Sequence, residues 1–169
     1  MKTILLPGFS IQNKDWAEEI KSQIGEKINL EIHYWPHWQT GQTVDGWKEI
    51  EVEKFFKETE NQPINLICKS IGTFIAVMAI SKKLELINKI ILCGIPIYDL
   101  RPRDEVFYQV LGKLPAEKVL VIQNEKDNHG SFEEVKKMIE GINPEIKVIS
   151  KPREDHNYPY PEEFEEFLK

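Results

Sequence analysis

The chain has 169 residues, with 22 lysine and arginine residues against 28 aspartate and glutamate residues, which gives a formal charge of −6. The length fits one domain, and 41% hydrophobic with 30% charged residues is the composition of a globular protein rather than a disordered one. The acidic balance, without a concentrated basic face, argues against a nucleic-acid partner.

The two cysteines, Cys68 and Cys93, are too few for a disulfide framework, and each ends an apolar run. Free buried thiols are typical of a reducing compartment. The apolar start is interrupted early by Pro7-Gly8, unlike the core of a signal peptide, and no apolar stretch approaches the ~20 residues of a membrane span. We therefore expect a cytoplasmic protein with no membrane span.

Six short apolar runs, bounded by turn residues, predict β-strands. They are Thr3–Leu6, Leu30–Tyr34, Ile64–Cys68, Lys89–Cys93, Val119–Gln123 and Ile146–Ile149. Between most of them the apolar residues have helical spacing, as at Trp16, Ile20 and Ile24. Strands that are apolar throughout and alternate with helices predict a single α/β domain over residues 1–169. We expect a doubly wound, mostly parallel six-stranded sheet with helices on both faces.

The longest irregular stretch, Gly94–Pro115, contains a predicted short helix around Glu105–Leu111 and is long enough to cover a pocket. Aromatic residues in this stretch and after the second strand suit either packing against the sheet or an apolar pocket for an acyl or alcohol group. These aromatic residues are Trp35, Trp38, Trp47, Tyr98 and Phe107.

Functional residues of open α/β sheets collect in the loops that follow the carboxyl ends of the strands. Ser70 follows the third run, Asp127 the fifth and His156 the sixth. Taken singly, Ser70 suits a helix N-cap, Asp127 a turn and His156 an exposed loop. Taken together, in this order and on three strand-end loops, they predict a Ser-His-Asp triad.

The segment Cys68-Lys69-Ser70-Ile71-Gly72 and this Ser-Asp-His order resemble the α/β-hydrolase superfamily, whose nucleophile elbow G-x-S-x-G joins a strand to a helix. The resemblance covers nearly the whole chain in element order. It is closest to the small, almost lidless serine hydrolases that include the retinoblastoma-binding kind. It implies three catalytic side chains, two backbone N–H donors for an oxyanion, and no cofactor or metal. The catalytic residues would be Ser70, Asp127 and His156, and the oxyanion donors Phe9 and Ile71.

Cys68 departs from the elbow pattern, in which glycine is favoured because the turn brings two backbone segments close together. Cysteine is small, and we expect the turn to form with it. The chemistry needs these residue types because a serine hydroxyl is a poor nucleophile at neutral pH without a base. Histidine titrates near that pH, and a carboxylate fixes its tautomer.

Other residues offer alternative assignments for the base and the acid. His129 shares a loop with Asp127 and precedes the last strand, which makes it a weaker base candidate. Glu125 and Asp99 are the fallback acids, Asp99 because it follows the fourth strand.

Metal and nucleotide sites are disfavoured. His33 and His37 have the i, i+4 spacing of a helical metal pair, but Pro36 and the strand before it argue against a helix, so we expect polar pocket or surface residues there. Lys69-Ser70 lacks the glycines of a phosphate loop, since positions 63 and 68 hold proline and cysteine, and no G-x-G-x-x-G follows Gly8.

The sequence therefore predicts a serine hydrolase that cleaves a carboxylic ester or related acyl bond of a small molecule through an acyl-Ser70 intermediate. Thioester or peptide-bond cleavage would use the same machinery. The alternative is a binding protein on the same fold that has kept the shape of the triad without turnover, because a fold does not determine a function.

Overall fold

The computed structural model describes residues 1–169 and contains one six-stranded sheet in which every strand pairing is parallel. The strands are β1 (Thr3–Leu6), β2 (Leu30–Ile32), β3 (Ile64–Lys69), β4 (Ile87–Cys93), β5 (Val119–Asn124) and β6 (Lys147–Lys151). Their order across the sheet is β2-β1-β3-β4-β5-β6. The chain thus winds first to one side of β1 and then to the other, and the winding reverses between β1 and β3. A crevice for ligands is expected at that reversal, beyond the carboxyl ends of these two strands.

Helices cover both faces of the sheet, which confirms the predicted doubly wound α/β fold. They are α1 (Gln12–Ile28), α2 (His37–Thr40), α3 (Trp47–Thr59), α4 (Ile71–Lys82), α5 (Phe132–Ile142) and α6 (Pro161–Leu168). Residues of α1 and α6 bury their apolar side chains in the core on one face. Residues of α3, α4 and α5 form the larger core on the other face.

Helix α4 is buried along almost its whole length, from Gly72 to Ile80. It has apolar residues on all sides because it lies between the sheet, α3 and the segment that follows β4. A central, immobilised helix is a firm support for residues at its amino end, where Ser70 lies.

The segment Gly94–Pro115 contains a 3₁₀ helix over Asp104–Lys113, where a shorter helix was predicted. Tyr108 anchors this helix, since its ring is fully buried and its hydroxyl lies 2.7 Å from the hydroxyl of Thr73 in α4. The segment therefore packs on the helix that follows Ser70. No helix in the structure combines the length and the apolar character needed to cross a bilayer.

Candidate active site

Ser70 forms the turn between β3 and α4 in an unusual backbone conformation, with φ 55° and ψ −123°. Asn29 and Glu60 also have positive φ, but their ψ is positive as well, which is the ordinary left-handed region that ends a helix. Ser70 lies outside the regions that L-residues normally occupy, a conformation that costs about 1–3 kcal/mol. Ser70 occupies the N-cap position of α4, as the alternative interpretation expected, but its side chain makes no capping hydrogen bond.

The turn forms with Cys68 in place of the elbow glycine. The Cys68 thiol is fully buried in the core, between neighbouring positions on β1 and β4. Burial raises the pKa of this thiol well above its ordinary value, and burial also raises the pKa of the Cys93 thiol. Neither cysteine is a competing nucleophile, because the thiolate is the reactive form.

Gly72 brings α4 into contact with the loop after β1. A Cβ atom at Gly72 would lie 2.1 Å from the carbonyl oxygen of Leu6 and 2.8 Å from that of Pro7, so only glycine permits this approach. The contact brings Ile71 close to the Pro7-Gly8-Phe9 loop. The backbone N–H groups of Phe9 and Ile71 have no acceptor within the chain, and both are therefore free to bind a ligand oxygen.

His156 and Asp127 are joined by a hydrogen bond of 2.7 Å between Nδ1 and Oδ2. A carboxylate accepts this bond, so Nδ1 carries the proton, and Nε2 of the neutral imidazole is left as the proton acceptor. That Nε2 atom is buried without a hydrogen-bond partner and is the one buried side-chain polar atom of the chain in this state. An unpartnered buried nitrogen calls for a functional explanation.

The Asp127 carboxylate accepts hydrogen bonds from three groups in all. Besides His156, its Oδ2 accepts a hydrogen bond of 2.5 Å from the Tyr158 hydroxyl, and its Oδ1 accepts one of 2.8 Å from the His129 backbone N–H. The last contact is the turn that the sequence suggested, and it coexists with the pairing to His156. Burial pushes the pKa of the Asp127 carboxyl up, but these hydrogen bonds outweigh it and hold the pKa below its ordinary value of 3.8. Asp127 is therefore ionised at neutral pH.

Sequence reasoning missed two residues that support this pair, Asn124 and Tyr158. The Asn124 side-chain amide donates to the carbonyl oxygens of Asp155 and Asn157, which flank His156, at 2.8 Å each. Its backbone N–H donates to the Tyr158 hydroxyl. The histidine loop is thus tied to the end of β5. No sequence pattern signals these contacts, which join positions more than 30 residues apart.

Gly94 lies between the turn that carries Ser70 and the loop that carries His156. The Ser70 backbone N–H donates to the carbonyl oxygen of Cys93, the residue before Gly94. A Cβ atom at Gly94, whose φ is 60°, would lie 2.5 Å from the Tyr158 ring and 3.0 Å from Cε1 of His156. No hydrogen bond joins the Ser70 hydroxyl to His156 Nε2 in this structure. Such bonds in unliganded enzymes are often long and tighten when substrate binds.

The side chains of the alternative base and acids form no hydrogen bond with His156 or Asp127. His129 bonds through Nδ1 to Asp99 at 2.5 Å, and its ring packs on the His156 ring with centroids 4.2 Å apart. Glu125 contacts the Ser150 hydroxyl and does not approach His156. Two imidazoles thus lie side by side, each with its own carboxylate.

His33 contradicts the expectation of a pocket or surface residue. It is fully buried, and its two ring nitrogens contact carboxylates of α3, Glu58 at 2.5 Å and Glu51 at 2.8 Å. His37 starts α2, where its ring stacks on Phe9 with centroids 4.2 Å apart and lies 6.3 Å from the Trp35 ring. The two histidines do not converge, and no group of three histidine, cysteine or acidic side chains in the structure is placed to hold a metal ion.

Ring N–H groups hold the loop that carries the Phe9 donor. Trp35 Nε1 donates to the carbonyl oxygens of Pro7 and Gly8, at 3.2 and 3.0 Å. His37 Nε2 and Trp38 Nε1 both donate to the carbonyl oxygen of Phe9, at 2.7 and 2.8 Å. Three consecutive carbonyl groups are therefore fixed by side chains that follow β2.

Lys69 is buried and contacts the start of α1, which follows this loop. Its Nζ donates to Asn13 Oδ1 at 2.5 Å, and the Asn13 amide donates to the Ser10 hydroxyl at 2.9 Å. Burial lowers the pKa of Lys69 to about 8, against the opposing influence of Cys93, Asp127 and Asp155. None of the ion pairs of the chain includes this lysine.

A cavity of about 410 Å³ lies between α4, the segment before α3 and the segment after β4. Its apolar walls include Trp47, Phe74 and Phe107, and its polar walls include Lys48, Arg101 and Asp104. Trp47 also packs edge-on against Phe9, with ring centroids 5.6 Å apart, so the cavity borders the loop of the Phe9 donor. Trp35 and Trp38 do not line the cavity, and instead donate hydrogen bonds to the Pro7-Gly8-Phe9 loop. Tyr98 does not line it either, and its hydroxyl donates to Glu134 on α5.

Comparison with known proteins identifies the fold. No family model and no curated relative matches the sequence. The chain is similar to the structure of a lidless α/β serine hydrolase from Xanthomonas campestris, with a TM-score of 0.69 and 14% identity over 99% of this chain and 78% of that one. An α/β serine hydrolase homologue from Coxiella burnetii has a TM-score of 0.67 and 16% identity over 99% and 83%. A bromoperoxidase from Bacillus anthracis has a TM-score of 0.63 and 15% identity over 99% and 90%.

These similarities show that the chain has the α/β-hydrolase fold without a lid. The neighbours include both hydrolases and a protein described as a bromoperoxidase, and the fold alone does not assign a reaction. The function has to be argued from the residues at the strand ends.

Proposed function

We propose that this protein is a serine hydrolase that cleaves a carboxylic ester, or a related acyl bond, of a small molecule through an acyl intermediate on Ser70. The observation that carries the proposal is the Ser70 backbone, with φ 55° and ψ −123° and no capping hydrogen bond from its side chain. An unfavourable backbone conformation whose side chain does not cap the helix is the expected geometry of a nucleophile raised above the sheet.

In the proposed reaction the Ser70 oxygen attacks the acyl carbon, and His156 Nε2 takes the hydroxyl proton. The carbonyl oxygen becomes an oxyanion and accepts hydrogen bonds from the N–H groups of Phe9 and Ile71. Collapse breaks the bond to the alcohol, which leaves with the proton held by His156. A water molecule then attacks the acyl-serine in the same way, releases the acid and restores Ser70.

Three features of the site support these roles. The ionised Asp127 keeps the proton of His156 on Nδ1, which leaves Nε2 free as the base. Both proposed oxyanion donors lack acceptors within the chain. A cavity beside the site, walled in part by Trp47, Phe74 and Phe107 and by no triad residue, has a volume within the usual 300–1,000 Å³ of small-molecule sites and suits an acyl or alcohol group.

Labelling with a fluorophosphonate tests the nucleophile, because such probes react with an activated serine. We expect one label per chain, mapped by mass spectrometry to Ser70, and none in Ser70→Ala. Ser131 provides a matched control, since it lies at the start of α5 with ordinary φ −67° and ψ 153° and accepts a hydrogen bond from the Glu134 N–H. Ser131→Ala should destabilise the protein by about 1 kcal/mol and keep the label.

Aryl esters of graded acyl length test turnover. The proposal predicts hydrolysis by the wild type with a preference for one range of lengths, and a large loss in Ser70→Ala. A folded protein that binds these esters without turnover, and that carries no label on Ser70, would be the binding protein that the fold also allows.

A further inference from the structure

The peptide unit between Gly8 and Phe9 contains both the carbonyl group held by Trp35 and the N–H group proposed to bind the oxyanion. The chain has no cis peptide bonds, and in a planar trans peptide the C=O and N–H groups point in opposite directions. The hydrogen bond from Trp35 Nε1 to the Gly8 oxygen, at 3.0 Å, therefore directs the Phe9 N–H away from the indole.

The indole of Trp35 is itself held firmly. Its side chain is 1% exposed, and it packs edge-on against His33 and Trp47, with ring centroids 4.7 and 6.2 Å away. His33 is in turn fixed between Glu51 and Glu58 on α3. The donor that orients the Gly8–Phe9 peptide thus belongs to the packed core rather than to a mobile loop.

Trp38 and His37 hold a different peptide. Both donate to the carbonyl oxygen of Phe9, and that peptide unit carries the N–H of Ser10, which has no role in the proposed reaction. Trp38 is thus a natural comparison for Trp35. Each is an indole that donates to the same loop, but only Trp35 acts on the peptide that bears the oxyanion donor.

We propose that Trp35 is a positioning residue of the hydrolase, whose indole N–H fixes the direction of the Phe9 N–H toward the oxyanion through the shared peptide. This role rests on the function proposed above. Besides the triad, the proposed reaction would then also require the hydrogen bond from the Trp35 indole to the Gly8 oxygen. A donor that is already oriented stabilises the transition state without reorganising during the reaction.

The test removes the N–H of Trp35 with as little change of shape as possible. Replacing Trp35 with benzothienylalanine puts sulfur in place of the indole N–H and keeps the bicyclic ring, and Trp35→Phe serves as the simpler variant. We expect kcat for an aryl ester to fall about 10- to 100-fold, less than the 10²–10³ of a deleted oxyanion donor, with KM within about twofold. The inhibition constant of an aliphatic trifluoromethyl ketone, which forms an oxyanion on addition of Ser70, should rise by the same factor as kcat falls.

Trp38→Phe is the matched control and should change kcat and the ketone inhibition constant by less than about threefold. Trp38 donates to the Phe9 oxygen, which His37 also holds, and not to the Gly8–Phe9 peptide that carries the proposed oxyanion donor. Equal effects of the Trp35 and Trp38 substitutions, or an effect of the Trp35 isostere on KM alone, would overturn the positioning role and leave the proposed function intact. A wild type without turnover and without a label on Ser70 would overturn both.

Discussion

Lys69, directly before Ser70, places a positive charge in the interior without a carboxylate partner. Its side chain is 5% exposed, and burial lowers its pKa from the ordinary 10.5 to about 8. At 1.36 kcal/mol for each pKa unit, the charged form destabilises the folded protein by about 3 kcal/mol at pH 7 relative to a neutral side chain. Lys69→Met removes this charge and keeps much of the apolar volume.

The substitution also lowers the free energy of unfolding in one respect, because it leaves Asn13 Oδ1 without its hydrogen-bond donor. An unpaired buried acceptor costs about 1–3 kcal/mol. The two effects together predict that Lys69→Met raises the free energy of unfolding at pH 7 by up to about 2 kcal/mol.

The pH dependence of stability separates the effect of the buried charge from that of the lost hydrogen bond to Asn13. Between pH 8 and pH 10.5 the unfolded chain binds more protons at Lys69 than the folded chain does, so wild-type stability from this group rises with pH in that window. The variant lacks this rise. By pH 10 the wild type regains about 2 kcal/mol relative to the variant, and the variant becomes the less stable of the two.

Urea denaturation followed by far-UV circular dichroism at pH 7, 8, 9 and 10 measures these differences. Lys82→Met, at the last residue of α4, is the exposed-lysine control. The Lys82 side chain is 49% exposed and forms a surface ion pair with Glu53, so its difference from the wild type should stay nearly constant with pH. If Lys69→Met is less stable than the wild type at pH 7 by an amount that does not change up to pH 10, the buried charge is not destabilising and the reasoning fails.

Two further predictions concern the proposed reaction and are read from ester turnover with circular dichroism as a check of folding, and a third concerns the contact at Gly72 and is read from thermal unfolding. Phe9→Pro removes the N–H donor and should lower kcat about 10²–10³-fold, whereas Phe9→Ala keeps the donor and should have a modest effect; equal small effects would exclude residue 9 as the donor. His156→Ala should abolish most turnover and His129→Ala should keep most of it; the reverse result would make His129 the base. Gly72→Ala forces a Cβ to 2.1 Å from the Leu6 oxygen and should lower the unfolding free energy by about 3 kcal/mol or more, and an unchanged melting temperature would contradict that contact.

The sequence predicted the elements well because their signal is local. Apolar strands that alternate with helices specify a parallel sheet, and the chain order of Ser70, Asp127 and His156 specifies which loops carry them. The strand bounds differ by up to two residues at their ends, as in β2, which stops at Ile32 instead of Tyr34 because the chain there leaves the sheet for α2.

The supporting contacts were not predictable, because they depend on where distant side chains point. Trp35 reaches back 27 residues to the Gly8 oxygen, and Tyr158 reaches back 31 residues to Asp127. The sequence places His33 within the predicted second strand and gives no sign of its partners, since only α3 supplies the two carboxylates that allow its burial. Periodicity describes which face of an element is apolar, but it does not specify partners across the fold.

Three unfavourable features meet at the same edge of the sheet. Ser70 has a backbone conformation that costs about 1–3 kcal/mol, His156 Nε2 is buried without a partner at a similar cost, and Lys69 buries a charge. None of them is needed to build a parallel sheet with helices on both faces. A protein that only binds a ligand needs the shape of this crevice, but it has no use for an unpaired basic nitrogen near a strained serine. Real proteins tend to keep such unfavourable features at functional sites. The position of the Ser70 backbone and of His156 Nε2 at the strand ends therefore favours a catalytic site over a site that only binds a ligand.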